Sequence, residues 1–122
     1  MSKVPWSEFV ASHSTGYLVI AVAPKAQRRP LRHRLMMLVT LLGRLKLASA
    51  YAATIDRHSG DQKIHIAFED EADARRFAQV VKAQLAAHRD GAWARQWVFH
   101  MNDATSDAIG AAMLTGGEID QR

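Results

Sequence analysis

The stretch Gln62–Leu85, QKIHIAFEDEADARRFAQVVKAQL, decides the fold because its hydrophobic period changes partway along. Up to Phe68 the residues alternate. Ile64, Ile66 and Phe68 form one row and Lys63, His65 and Ala67 the other, the pattern of a strand with one buried face. From Asp70 the spacing lengthens, with Ala74, Phe77, Ala78, Val81 and Leu85 repeating as the stripe of an amphipathic helix. Acids crowd its first turn, Asp70 and Asp73 resemble a capping pair, and Lys82, His88 and Arg89 fall toward its end, as the helix dipole favours. Asp90-Gly91 is the expected stop.

Working back toward the N-terminus, Arg57–Asp61 (RHSGD) reads as a turn and Ala48–Asp56 as the strand before it. Residues 31–47 form a second amphipathic pattern after Pro30. Leu31, Leu35, Leu38, Val39, Leu42 and Leu45 share one face, opposite Arg32, His33, Thr40 and Arg44. Tyr17–Ala23, apolar and bounded by Gly16 and Pro24, is a further strand. Residues 4–13 suit a short opening helix with Pro5 in its first turn. Beyond residue 91, Ala94–His100 reads as a last strand and residues 103–115 as a terminal helix closed by Gly116-Gly117.

The order strand–helix–strand–strand–helix–strand over residues 17–100 resembles the ferredoxin-like split βαβ arrangement. The expected fold is therefore α+β: a βαββαβ antiparallel sheet in spatial order 4-1-3-2, with two helices on one face. Short helices at 4–13 and 103–115 flank it. Residues 1–122 are expected to form a single domain, since a chain of 122 residues and 48% hydrophobic content can bury one core. No internal repeat or interdomain linker interrupts it.

Two expectations follow from that arrangement. The first and third strands are taken to run parallel, so that both following helices start at one end of the sheet, with Glu69–Asp73 close to the arginines around Pro30. Leu18, Ile20 and Val22 are taken to face the helices with Ile64, Ile66 and Phe68. That parity leaves Tyr17, Val19, Ala21, Ala23, His65 and His100 on an open face, along with Ala50, Ala52 and Thr54. Such a face is apolar enough to call for a cover, and a second copy of the chain is the expected one.

Charge is the main functional signal. Between Phe9 and Ile55 there is no Asp or Glu, but there are seven basic residues, four of them arginines within Arg28–Arg34. Cations at a helix start work against the backbone dipole, so they call for an anion or for acids from elsewhere in the chain. Lys25, Arg28, Arg29, Arg32 and Arg34 are the candidate anion-binding residues. Arginine forks and free helix-start N–H groups suit phosphate oxygens, so DNA or RNA is the expected partner, with an acidic protein surface served by the same patch.

The rival is a small-molecule protein of the dimeric α+β barrel kind, whose pocket on the open sheet face would use Tyr17, His65 and His100. The segment Ile66–Ala74 looks like the strand-to-helix junction common in such domains. A regulatory subunit using the sheet and its Met36- and Met37-flanked helix for protein contacts is a plainer third reading.

Other chemistry lacks its residues. There is no cysteine, and no two of the six histidines lie within four positions of each other, so neither thiol chemistry nor a local metal pair is expected. No phosphate loop, dinucleotide fingerprint, nucleophile elbow or HExxH motif occurs, and no catalytic residue, cofactor or metal is assigned. On the expected open face the central strands offer only Tyr17, with His65 as a weak second, which argues against base stacking on the sheet. The apolar runs Tyr17–Ala23 and Leu35–Leu42 are far shorter than the ~20 residues of a membrane span. A cytoplasmic protein is expected.

Overall fold

The computed structural model describes residues 3–12, 16–23, 31–56, 62–86 and 93–114, the side chains of 112–114 excepted. The expected turn at 57–61 and the helix stop at Asp90-Gly91 lie outside the described residues.

Four helices and five strands follow in the order α1 (Trp6–Ser12), β1 (Tyr17–Ala23), α2 (Leu31–Leu45), β2 (Tyr51–Asp56), β3 (Gln62–Phe68), α3 (Glu71–Val81), β4 (Gln84–Leu85), β5 (Arg95–His100) and α4 (Asp103–Leu114). The sheet order is β2-β3-β1-β5-β4. Strand β1 is antiparallel to β3 and parallel to β5, while β4 is antiparallel to β5. A mixed five-stranded sheet therefore replaces the expected four-stranded antiparallel 4-1-3-2 sheet.

The difference arises at the end of α3. That helix begins as its sequence predicts, with the Asp70 carboxylate accepting from Ala72 N–H at 3.0 Å. It ends at Val81, short of the expected stop, because Lys82 adopts the left-handed conformation (φ 60°). The Lys82 and Ala83 N–H groups then close on the Gln79 and Ala78 carbonyls, a Schellman-type stop. The chain leaves the helix axis, forms the two-residue β4, and returns as β5 between β4 and β1. The strand beside β1 is thus the second arm of a hairpin, which reverses its direction relative to the ferredoxin-like pattern.

Helices α2 and α3 share one face of the sheet, as expected, and α4 joins them. Leu38, Leu41, Leu42 and Leu45 of α2 meet Ala74, Phe77 and Val81 of α3 and Ile109 of α4 over the sheet. From β3 and β5 this core takes Ile64, Ile66, Phe68, Trp97 and Phe99, the parity read from the sequence. From β1 it takes Val19, Ala21 and Ala23, with Tyr17 packed against it, whereas Leu18 and Ile20 lie on the opposite face. The expected parity of β1 is reversed, as its register requires: Val19 stands opposite Ile66 and Ala21 opposite Ile64.

The opposite face is not open. Phe9 of α1 is buried there with Leu18, Ile20, Ala52 and Ala67, and Val4, Trp6 and Trp93 pack around them. The opening segment also pairs with the sheet edge, Val4 N–H donating to the Tyr51 carbonyl at 2.9 Å. The cover expected from a second copy comes from the chain's own N-terminal segment.

Candidate functional site

The β1–β3 register sends the acidic start of α3 and the segment leading to α2 to opposite ends of the sheet. Tyr17 stands opposite Phe68 and Ala23 opposite Gln62, so α3 starts at the end where β1 begins, and the segment leading to α2 leaves from the other end. Six residue steps separate those ends, about 20 Å at ~3.4 Å per residue. The described start of α2 is therefore not beside Glu69–Asp73 as expected, because antiparallel strands send their following helices off from opposite ends.

The acids of that cluster are engaged where they stand. Asp70 caps α3. Glu71 Oε2 takes Arg75 Nη2 at 2.7 Å and Arg95 Nε at 2.8 Å. Asp73 is buried and accepts from the N–H groups of Ala48 (3.3 Å) and Ser49 (2.9 Å), fixing the turn between α2 and β2. Glu69 Oε1 accepts from Ala50 N–H at 3.4 Å.

At the basic end, Arg32 and His33 are exposed on the first turn of α2, which carries no acid. Among the described residues no carboxylate pairs with Arg32. Lys63 near the start of β3 lies at this same end, opposite Val22 and Asp56. Lys25, Arg28 and Arg29 belong to the segment joining Ala23 to Leu31 and lie outside the described residues.

Arg34 does not belong with the exposed cations. It is buried, and its Nη2 donates to Asp103 Oδ1 at 3.3 Å. The helical spacing holds the signal for this: Arg34 is three residues after Leu31 and four before Leu38, inside the apolar stripe. Its partner arrives on α4, whose first turn is set by Asn102 Oδ1 accepting from Thr105 N–H at 2.9 Å. No local pattern links residues 34 and 103.

The expected open-face pocket is dispersed. Tyr17 faces the helices, while His65 and His100 lie on the other side of the sheet. Opposite Ile20 and Val22 respectively, they flank β1 from either side, with backbones about 12 Å apart by strand spacing and rise. His65 lies under α1, its ring centre 6.3 Å from that of Trp6 and its Nε2 3.9 Å from Asp56 Oδ2. Among the described residues no three His, Asp or Glu side chains gather as metal ligands, and no helix is long and apolar enough to cross a membrane.

No protein-family model, curated protein or solved structure matches the chain.

Proposed function

We propose that this chain is a small non-enzymatic binding module whose basic sheet end takes a polyanionic partner, nucleic acid first among them. The observation that carries the reading is the antiparallel β1–β3 register, which removes the acidic start of α3 from the arginine segment. The acids best placed in sequence to neutralise those cations are spent on α3, on the turn after α2 and on Arg95. The grip assigned from the sequence is Lys25, Arg28, Arg29 and Arg32; of the described residues, Arg32, His33 and Lys63 stand at this end of the sheet. Arg34 is excluded from it as a structural residue of the α2–α4 seam. Contacts of this type fall mainly on the phosphate backbone, so binding is weakly selective for sequence and steeply dependent on salt.

A catalytic pocket of Tyr17, His65 and His100 does not enter this reading, since the sheet separates Tyr17 from the two histidines. Nor does self-association through the sheet face, because α1 occupies it. Reversing Arg28, Arg29 and Arg32 to glutamate together tests the proposal. Loss of DNA and RNA binding at low salt, with unchanged circular dichroism, is expected. Retained affinity in the folded triple variant contradicts it.

A further inference from the structure

A groove of about 780 Å³ opens along the β4 edge of the sheet, between the end of α3, β5 and α4. That volume lies within the ~300–1,000 Å³ typical of small-molecule sites. Leu41, Val81, Phe99 and Ile109 give it an apolar lining. Lys82, His100 and Thr105 also border it, and none of the described lining residues is Asp or Glu.

The groove follows from the early stop of α3. Because Lys82 turns left-handed and β4 lasts two residues, β5 outruns its neighbour. Met101 N–H donates to the Val22 carbonyl at 2.8 Å, so the peptide groups of odd-numbered β5 residues face β1. Even-numbered ones face β4, as the bond from Ala86 N–H to the Gln96 carbonyl shows. The N–H and C=O of His100 therefore point past the end of β4. Continuing the β4–β5 register would set residue 82 opposite His100, but the Lys82 N–H is already held by the Ala78 and Gln79 carbonyls. A strand edge, a lysine and an apolar wall meet there.

We infer that this groove binds a small amphipathic carboxylate. An aliphatic or aromatic body would cover Leu41, Phe99 and Ile109, and the acid group would take Lys82 and the His100 amide. Ammonium and backbone N–H groups are the donors a carboxylate uses. A cationic ligand would meet Lys82 with no described lining acid to hold it, and a neutral one would gain at most a hydrogen bond from the lysine, without the charge attraction. This site uses residues outside the polyanion grip, so either can fail without the other.

Titration of the full chain with decanoate, read by amide NMR shifts and by displacement of 1-anilinonaphthalene-8-sulfonate, tests the inference. Shifts should concentrate at residues 80–86, 98–100 and 105–109, with decanoate outcompeting decanol about fivefold, the most that one exposed charge commonly contributes. Lys82→Asn, which tolerates the left-handed backbone, should erase that preference, and Ala108→Trp, at an exposed lining position, should block both ligands. No displacement by millimolar decanoate, equal affinity for decanol, or binding unchanged in folded Ala108→Trp overturns it. A dimer that Ala108→Trp dissociates, with no decanoate binding, assigns the groove to a second copy and also overturns it. Should Ala108→Trp fail to fold, the Lys82→Asn comparison decides alone.

Discussion

Arg34 on α2, 1% exposed, donates to Asp103 on α4 across 3.3 Å, joining two helices that start at the same end of the sheet. Farther along the seam, the Met37 methyl stands 3.5 Å from where a Cβ on Gly110 would be. The pair thus anchors α4 beside α2, and it moves one arginine of the basic segment from the surface to the core.

The two sides of that pair are unequal. Asp103 is 29% exposed and can turn to water, whereas Arg34 cannot. Asp103→Ala takes a carboxylate from a buried guanidinium and should cost about 1–3 kcal/mol, less than for a fully buried pair because solvent screens the site. Arg34→Met keeps volume without charge and should stay within about 1 kcal/mol of wild type. Urea denaturation of both variants checks the asymmetry; equal losses contradict it.

Asp73 holds the turn between α2 and β2 through the N–H groups of Ala48 and Ser49. Asp73→Ala leaves both donors without their acceptor and should cost about 2 kcal/mol in chemical denaturation, with DNA affinity unchanged. Asp73→Asn keeps an acceptor and should lose roughly half as much. A neutral Asp73→Ala would show that the turn does not depend on this carboxylate.

Two glycines should respond in opposite directions to the same change. A Cβ on Gly43, within α2, meets nothing within 4 Å, so Gly43→Ala should stabilise by about 0.5–1 kcal/mol. A Cβ on Gly16 comes to 3.1 Å from the Trp93 ring and 3.3 Å from the Phe68 carbonyl, so Gly16→Ala should destabilise by about 1–3 kcal/mol. Thermal melts read both signs.

Burial raises the Tyr51 hydroxyl pKa above its ordinary value of 10.0. The folded state then holds this proton more tightly than the unfolded chain, so unfolding releases it more readily as pH rises past 10. The contribution is intact below pH 10 and lost above it as pH climbs through the folded value. Tyr51→Phe should match wild type near pH 8 and show a shallower alkaline loss. Parallel declines from pH 9 to 11 contradict that assignment.

Legibility in the sequence followed the contrast between neighbouring residues. Strand β3 carries Lys63 and His65 against Ile64 and Ile66, so its parity was readable. Strand β1 is apolar throughout because α2 and α3 cover one side and α1 the other, which leaves no alternation to fix its parity. In α3 the apolar spacing continues from Val81 to Leu85, hiding a stop made by a lysine where glycine or asparagine is the usual signal. Leu85 lies 58% exposed as a result. The two residues of β4 are too few to show a period, and without β4 the hairpin that runs β5 parallel to β1, in the place beside it that the expected order already gives, could not be inferred. Of the proposed site, the cations are plain in the sequence. Their separation from Glu69–Asp73 is legible as well, since strands 1 and 3 are neighbours in an antiparallel 4-1-3-2 sheet and send their helices off from opposite ends; the parallel reading of the two strands is inconsistent with that order.

Fluorescence anisotropy of labelled duplex DNA titrated with the wild-type chain between 20 and 200 mM salt tests the basic end most directly. Four cations on phosphates predict that log K falls with log salt at a slope of about −3 to −4, flattened when Arg28, Arg29 and Arg32 are reversed. Absence of binding at 20 mM salt, or a slope the triple reversal leaves unchanged, contradicts a polyanion grip on residues 25–32.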